Sequence, residues 1–423
     1  MGAGWVWHCC RFFLNYGFEL HFIFTLQNLT IMKTKLSIVT FLILALVITS
    51  CAGGAEVVSE EIIPGADRTE VYLPMLEGKA VALAVNNTSV VGEATLLDTL
   101  VSMGVNVVRI FAPEHGFRGG NNYDTVDVKT GVPVSNLYNS GTYKPLPEHL
   151  EGVDVMIFDM QDVGVRFYTY LSTLHYVMEA CAENDIELVV MDRPNPNDYY
   201  VDGPILDTNF RSFVGMHPIP ILHGLTLGEY AGMINGEGWL KDGIQCKLTV
   251  VEVANYEHGK EYILPIPPSP NLNTQQSILL YPSLCLFEGT VISQGRGTMF
   301  PFQVLGNPLL AEHYEFSFTP VSIEGMSTRP PHMDVECFGL DLREYDVSVF
   351  AETGRLNLGW LLEFYNVYPN KEEFFREGRF DRLAGGDMLR KQIIDGLSEE
   401  QIRESWEPAL SQYKETRQKY LIY

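Results

Sequence analysis

The sequence predicts an α/β fold: a mainly parallel sheet domain in the first half, followed by a second domain. Three observations lead there. From about residue 79, short apolar runs alternate with helical patterns, which is the order that builds a parallel sheet covered on both faces. Each apolar run ends in a polar, Gly- or Pro-containing loop. With 423 residues, the chain is too long for one ordinary core, so two domains are expected.

The elements follow in order. Val81–Val85, Val105–Phe111, Val153–Met160, Ile186–Met191 and Ile219–Leu222 have the composition of buried strands. Thr95–Met103 fits a helix, as does Tyr168–Glu183, where Leu171, Leu174, Met178 and Cys181 form one apolar stripe. Thr226 and Glu229 have the spacing of a capping box. Pro265–Leu272 is a rigid polar segment expected to cross between domains, giving a sheet domain over 73–262 and a second domain over 263–423. Near the end, Asp387 is expected to cap a helix carrying Leu389, Ile393 and Leu397. Ser398 and Gln401 form a capping box for a last helix with the stripe Ile402, Trp406, Leu410 and Tyr413.

Composition narrows the partners. The formal net charge of -24, from 53 acids against 29 bases, disfavours nucleic acid, whose phosphates such a surface repels. Met32-Lys33-Thr34-Lys35, the apolar Leu36–Ile48 and Ile48-Thr49-Ser50-Cys51 have the layout of a secretory signal peptide over 32–51 ending in a lipobox, with Cys51 lipidated. Residues 1–31 precede that signal, Met32 is the expected start, and 52–72 is a linker. The expected location is the periplasm or the outer membrane. Cys181, Cys246, Cys285 and Cys337 lack zinc-ligand spacing. Cys181 is expected in the core. One disulfide is compatible with an oxidising compartment, and no pair is singled out.

In a parallel sheet the loops after the strands emerge at the carboxyl edge, where ligands bind. Here they are Asn86-Asn87-Thr88, Pro113-Glu114-His115-Gly116-Phe117-Arg118-Gly119, Gln161-Asp162-Val163-Gly164-Val165-Arg166, Arg193-Pro194-Asn195-Pro196 and His223-Gly224. Turn chemistry accounts for the Asn, Asp, Pro and Gly of any one loop. It does not account for Arg and Glu recurring beside Gly at successive strand ends, so a functional cleft is the better reading. The first strand does not run into a dinucleotide fingerprint, and no P-loop, H-E-x-x-H or G-x-S-x-G motif is present. In the second half, Glu288-Gly289 and Gly295-Arg296-Gly297 let the backbone approach a ligand closely, with a structural ion pair as the plainer alternative.

Taken together, Phe111–Gly119, Asp159–Tyr170, Asp192–Pro196, Pro268–Asn271, Glu288–Thr290 and Gly295–Thr298 resemble the bacterial exo-β-N-acetylmuramidase family. The motifs keep their order and run from about residue 75 to beyond 310. The resemblance implies a Rossmann-like domain and a smaller α+β domain with the active cleft between them. It implies exo-lytic release of N-acetylmuramic acid from the non-reducing ends of peptidoglycan fragments, and no cofactor. It also implies Glu114 as acid/base. Asn139 stands where the family has a glycine.

Glycoside hydrolysis needs a proton for the leaving oxygen and stabilisation of an oxocarbenium-like state. Glu114, between Phe111 and Phe117, suits a donor whose pKa is raised by apolar surroundings. A structural pairing with Arg118 is the alternative. For the second group Asp162 comes first and Glu288 second, and the substrate's own N-acetyl group is a third route. The lactyl carboxylate of muramic acid calls for a bidentate arginine, from Arg118, Arg166 or Arg296. Asn87, His115, Gln161, Tyr168, Tyr170, Arg193, Asn195, His223 and Asn271 are further candidates to contact the substrate. A non-catalytic lipoprotein that binds cell-wall fragments in the same cleft is the alternative function. An esterase or amidase lacks its motifs.

Overall fold

The computed structural model describes residues 60–113, 116–118, 125–138 and 143–423. The expected signal peptide with Cys51 lies outside them, as do Glu114, His115 and Asn139.

Six strands form the central sheet: β1 (Ala80–Val85), β4 (Asn106–Ala112), β5 (Val134–Asn136), β6 (Val155–Asp159), β7 (Glu187–Met191) and β8 (Leu248–Val251). A two-stranded hairpin, β2 (Val90–Val91) and β3 (Ala94–Thr95), follows β1. The spatial order is β5-β4-β1-β6-β7-β8, and every pair is parallel. Counted by appearance within the sheet this is 3-2-1-4-5-6, the doubly wound order, whose direction reverses between β1 and β6.

The apolar runs are continuous because both faces are covered. Side chains alternate between faces with period two. Ala82 and Ala84 of β1, and Met156 and Phe158 of β6, pack with Leu174 and Met178 of α3 (Tyr170–Glu183) and Tyr230 of α4 (Leu227–Gly236). Val81, Leu83, Val85, Val155 and Ile157 face the other way, towards Tyr72 of α1 (Thr69–Leu76) and Leu97 and Leu100 of α2 (Leu96–Ser102). The first core continues into the second half through Phe287, Phe364, Phe380 and Trp406, so the two halves share one apolar interior.

Helix starts follow the capping chemistry. Thr95 caps α2, and Thr226 with Glu229 forms a complete capping box on α4. His258, after β8, is held between Asp198 and that same Glu229, with each ring nitrogen 2.8 Å from a carboxylate oxygen.

One strand expectation is corrected. Ile219–Leu222 is not a sheet strand. Its residues are buried, but Leu222 makes only isolated bridges, to Val165 and Asp202. The sixth strand is instead β8, whose first three residues are only partly buried. The short β5, with Pro133 just before it, sits at the sheet edge where a missing amide hydrogen is tolerated.

The second half holds α5 (Gln275–Leu284) and an antiparallel three-stranded sheet of β9 (Val304–Asn307), β10 (Phe316–Phe318) and β11 (Cys337–Asp341). Helices α6 (Ser348–Thr353), α7 (Gly359–Val367), α8 (Glu377–Ala384), α9 (Met388–Ile394) and α10 (Glu399–Arg417) follow. Ser398 and Gln401 make the expected box on α10. Asp387 sits at the N-cap of α9 without a capping hydrogen bond, because its carboxylate pairs with Lys391. Cys181, Cys246, Cys285 and Cys337 are buried free thiols.

Candidate active site

The reversal of strand order places the β1 and β6 loops side by side at the carboxyl edge, and these two loops are cross-linked. Ser89 Oγ donates to the Asp159 carbonyl, and the Gln161 amide donates to Thr88 Oγ1 at 2.9 Å. Asn86 Nδ2 donates to Tyr170 Oη at 2.7 Å, tying the β1 loop to the start of α3. Asn87 Nδ2 donates to the Pro267 carbonyl at 3.2 Å.

Asp162 leaves this edge in a tight turn. Its Oδ2 accepts the Gly164 amide at 2.6 Å, while Oδ1 is buried and has no hydrogen-bond partner. Gly164 has φ +77°, and a Cβ there would lie 2.1 Å from Asn195 Oδ1, so only glycine fits. His223 follows Leu222, which bridges Val165 of the same loop. Its Nδ1 accepts the Leu225 amide at 3.2 Å, which assigns the ring proton to Nε2. That Nε2 lies 3.7 Å from Asp162 Oδ2.

Four of the expected residues, Tyr168, Asn271, Glu288 and Arg296, line one cavity of about 240 Å³. Tyr168 Oη donates to the Pro268 carbonyl at 2.9 Å, and Asn271 Nδ2 donates to the Met326 carbonyl at 3.1 Å. Asn271 Oδ1 is buried and has no partner, so it is an acceptor ready for a ligand. Glu288 accepts from Arg296 at 2.6 and 3.1 Å and from Arg379 at 2.6 Å. Burial raises the Glu288 carboxyl pKa, but the two guanidinium groups outweigh it and hold the group below its ordinary value. Arg296 lies over the Phe302 ring at 5.1 Å, and its Nη1 makes no hydrogen bond among the described residues.

The other expected arginines are engaged elsewhere. Arg118 donates to Asp127 through Nε and Nη2, and to Asp98 through both Nη atoms. Arg193 grips Asp159 with two parallel bonds of 2.5 and 3.0 Å. Arg166 is 1% exposed and donates to the carbonyls of Pro204, Ile219 and Leu383 at 2.7, 2.7 and 3.0 Å. Gln161 Nε2 spans the carbonyls of Asp162 and Pro194, and Asn195 Nδ2 donates to the Leu225 carbonyl. These side chains shape the loops from within.

Sequence reasoning missed Arg379, the second cation on Glu288. It comes from α8, and no local pattern links it to residue 288.

Residues 81–276 match the N-terminal model of exo-β-N-acetylmuramidase NamZ, and residues 279–423 match the C-terminal one. The chain is 39% identical over 375 residues to the peptidoglycan β-N-acetylmuramidase NamZ of Bacillus subtilis, covering 83% of this chain and 89% of that protein. Crystal structures of two DUF1343 family proteins from Bacteroides fragilis superpose with TM-scores of 0.81 and 0.74, at 45% and 29% identity. Each match covers 86% of this chain and 99% of the other. The doubly wound sheet, the cavity beside its carboxyl edge and these matches over both halves agree: the chain belongs to the exo-β-N-acetylmuramidase NamZ family.

Proposed function

We propose that this chain is a glycosidase that releases N-acetylmuramic acid from the non-reducing ends of peptidoglycan fragments, and that its sugar feeds cell-wall recycling. The observation that carries the reading is the cavity holding Arg296, Glu288, Asn271 and Tyr168. It offers a guanidinium with an unengaged edge for the lactyl carboxylate and an unpartnered amide oxygen for a sugar hydroxyl or acetamido N–H. Glu288 and Arg379 hold Arg296 in place.

In the reaction, Glu114 donates its proton to the glycosidic oxygen as the bond to the anomeric carbon breaks. Asp162 faces the developing positive charge, either directly or by orienting the substrate's N-acetyl group. Water completes the hydrolysis. The segment ending at Cys51 directs export and lipidation, anchoring the enzyme at the periplasmic face of a membrane.

The test is incubation of purified protein with a chromogenic N-acetylmuramic acid glycoside and its N-acetylglucosamine counterpart. Release from the muramic compound alone is expected, and Glu114→Gln lowers kcat by about 10²-fold or more while still binding fragments. Release from neither compound by folded protein would favour a binding lipoprotein. Incorporation of labelled palmitate, abolished in Cys51→Ala, checks the anchor.

A further inference from the structure

A second cavity, of about 330 Å³, lies at the β5 edge of the sheet, and neither the fold nor the site described above uses it. Arg109, Lys144, His149 and Asn136 line it, and no Asp or Glu is among its described lining residues. That is unusual in a chain with 53 acids and 29 bases. Lys144 is engaged by Glu179 and Glu183 of α3. Arg109 makes no ion pair among the described residues, and its Nη1 donates to Ser135 Oγ at 3.1 Å. Ser135 Oγ is in turn 3.2 Å from His149 Nδ1. Asn136 Oδ1 is buried and without a partner. Like the first cavity it sets a guanidinium beside an orphaned amide oxygen, but where Arg296 is paired with Glu288, Arg109 has no carboxylate partner among the described residues.

An aromatic wall of Tyr138, Tyr143 and Phe213 is built from residues next in sequence to linings of the two cavities. Tyr143, next to Lys144 of the second cavity, stacks on Phe213, next to Val214 of the first, with ring centroids 4.0 Å apart and planes 21° apart. Tyr138 stands edge-on to both rings, and its Oη bonds to Oγ1 of Thr169, which lines the first cavity. Tyr143 adopts φ +57°, a conformation rare for a bulky side chain and found where surroundings impose it.

Peptidoglycan glycan alternates an acidic sugar with a neutral one. The geometry points to a second carboxylate-reading subsite: the terminal N-acetylmuramic acid occupies the Arg296 cavity, the neutral sugar crosses the aromatic wall, and the lactyl group of the next N-acetylmuramic acid enters the Arg109 cavity. The pyranose face, with its C–H bonds, suits the negative face of an aromatic ring. This inference rests on the proposed activity and adds to it a preference for substrates of three sugars or more.

The experiment measures kcat/KM for three compounds that all begin with N-acetylmuramic acid. One is the disaccharide with N-acetylglucosamine. The second is the trisaccharide ending in another N-acetylmuramic acid, and the third is the trisaccharide ending in N-acetylglucosamine. The acidic trisaccharide is expected to exceed the other two by roughly tenfold, the scale of one charge-assisted hydrogen-bonding contact. In Arg109→Gln that ratio falls towards one, and in Arg109→Lys it is partly kept. A lesion that merely loosens the fold lowers all three together. Equal efficiency for the two trisaccharides in the wild type overturns the inference, and so does an unchanged ratio in Arg109→Gln. The wild-type comparison decides the matter even if the variant does not fold. Release from all three compounds at equal efficiency defeats only the second subsite, whereas release from none defeats the proposed function as well.

Discussion

His223 Nε2 lies 3.7 Å from Asp162 Oδ2, and both Nε2 and Asp162 Oδ1 are buried without a hydrogen-bond partner. Leaving polar atoms unpaired in the interior costs stability, so such a pair persists where something else is meant to complete it. Asp162→Asn keeps the shape and removes the charge. Its kcat is expected to fall by about 10²-fold or more, with a melting temperature equal to or above the wild type. Steady-state kinetics and a thermal melt check both, and full activity in that variant would remove Asp162 from the mechanism.

Arg296 and Arg118 are expected to separate in their effects. Arg296→Gln should erase most discrimination between muramic and glucosamine glycosides, at roughly tenfold or more in kcat/KM. Arg118 is committed to Asp98 and Asp127, so Arg118→Gln should lower the melting temperature and leave that ratio alone. Parallel assays on the two glycosides decide the assignment.

Arg166 satisfies three carbonyls from Pro204, Ile219 and Leu383. Arg166→Met removes every donor at once and leaves those acceptors buried. A loss of about 3 kcal/mol or more in unfolding free energy is expected from chemical denaturation. A neutral result would show that water replaces the guanidinium.

His258, between Asp198 and Glu229, gives a pH dependence. Burial alone would lower its pKa, but hydrogen bonds from its ring to the two carboxylates raise it to about 9. The folded state then holds the proton more tightly than the unfolded chain, whose value is about 6.5. The contribution is complete below about pH 6.5 and is lost as the pH rises through about 9. Thermal melts should decline over that window in the wild type and more weakly in His258→Gln.

These assignments show what sequence reasoning can reach. Strands β1, β6 and β7 were legible because two-sided burial makes each a nearly unbroken apolar run, and β4 from the buried Ile110, Phe111 and Ala112 at its end. Ile219–Leu222 has the same signature, since burial alone does not say whether a neighbouring strand is there to pair with it. β8 escaped notice because it is mostly half-exposed. In the site, Tyr168, Asn271, Glu288 and Arg296 were found from their motifs and do meet in one cavity. Arg118, Arg166 and Arg193 look equivalent to Arg296 along the chain. Their partners, Asp98 with Asp127, three backbone carbonyls, and Asp159, are chosen by the fold and leave no local mark.

The last helix reaches back to the turn that carries His223. Tyr413 Oη donates to the His223 carbonyl at 2.8 Å, and Arg417 Nε donates to the Gly224 carbonyl at 2.8 Å. Partners so distant in sequence meet late in folding, because long loops must close first. A chain emerging amino end first can assemble its sheet before α10 exists, but the histidine turn is not braced until the final residues arrive. The brace on the histidine turn is therefore the last part of this polypeptide to be made, and a C-terminally clipped chain lacks it.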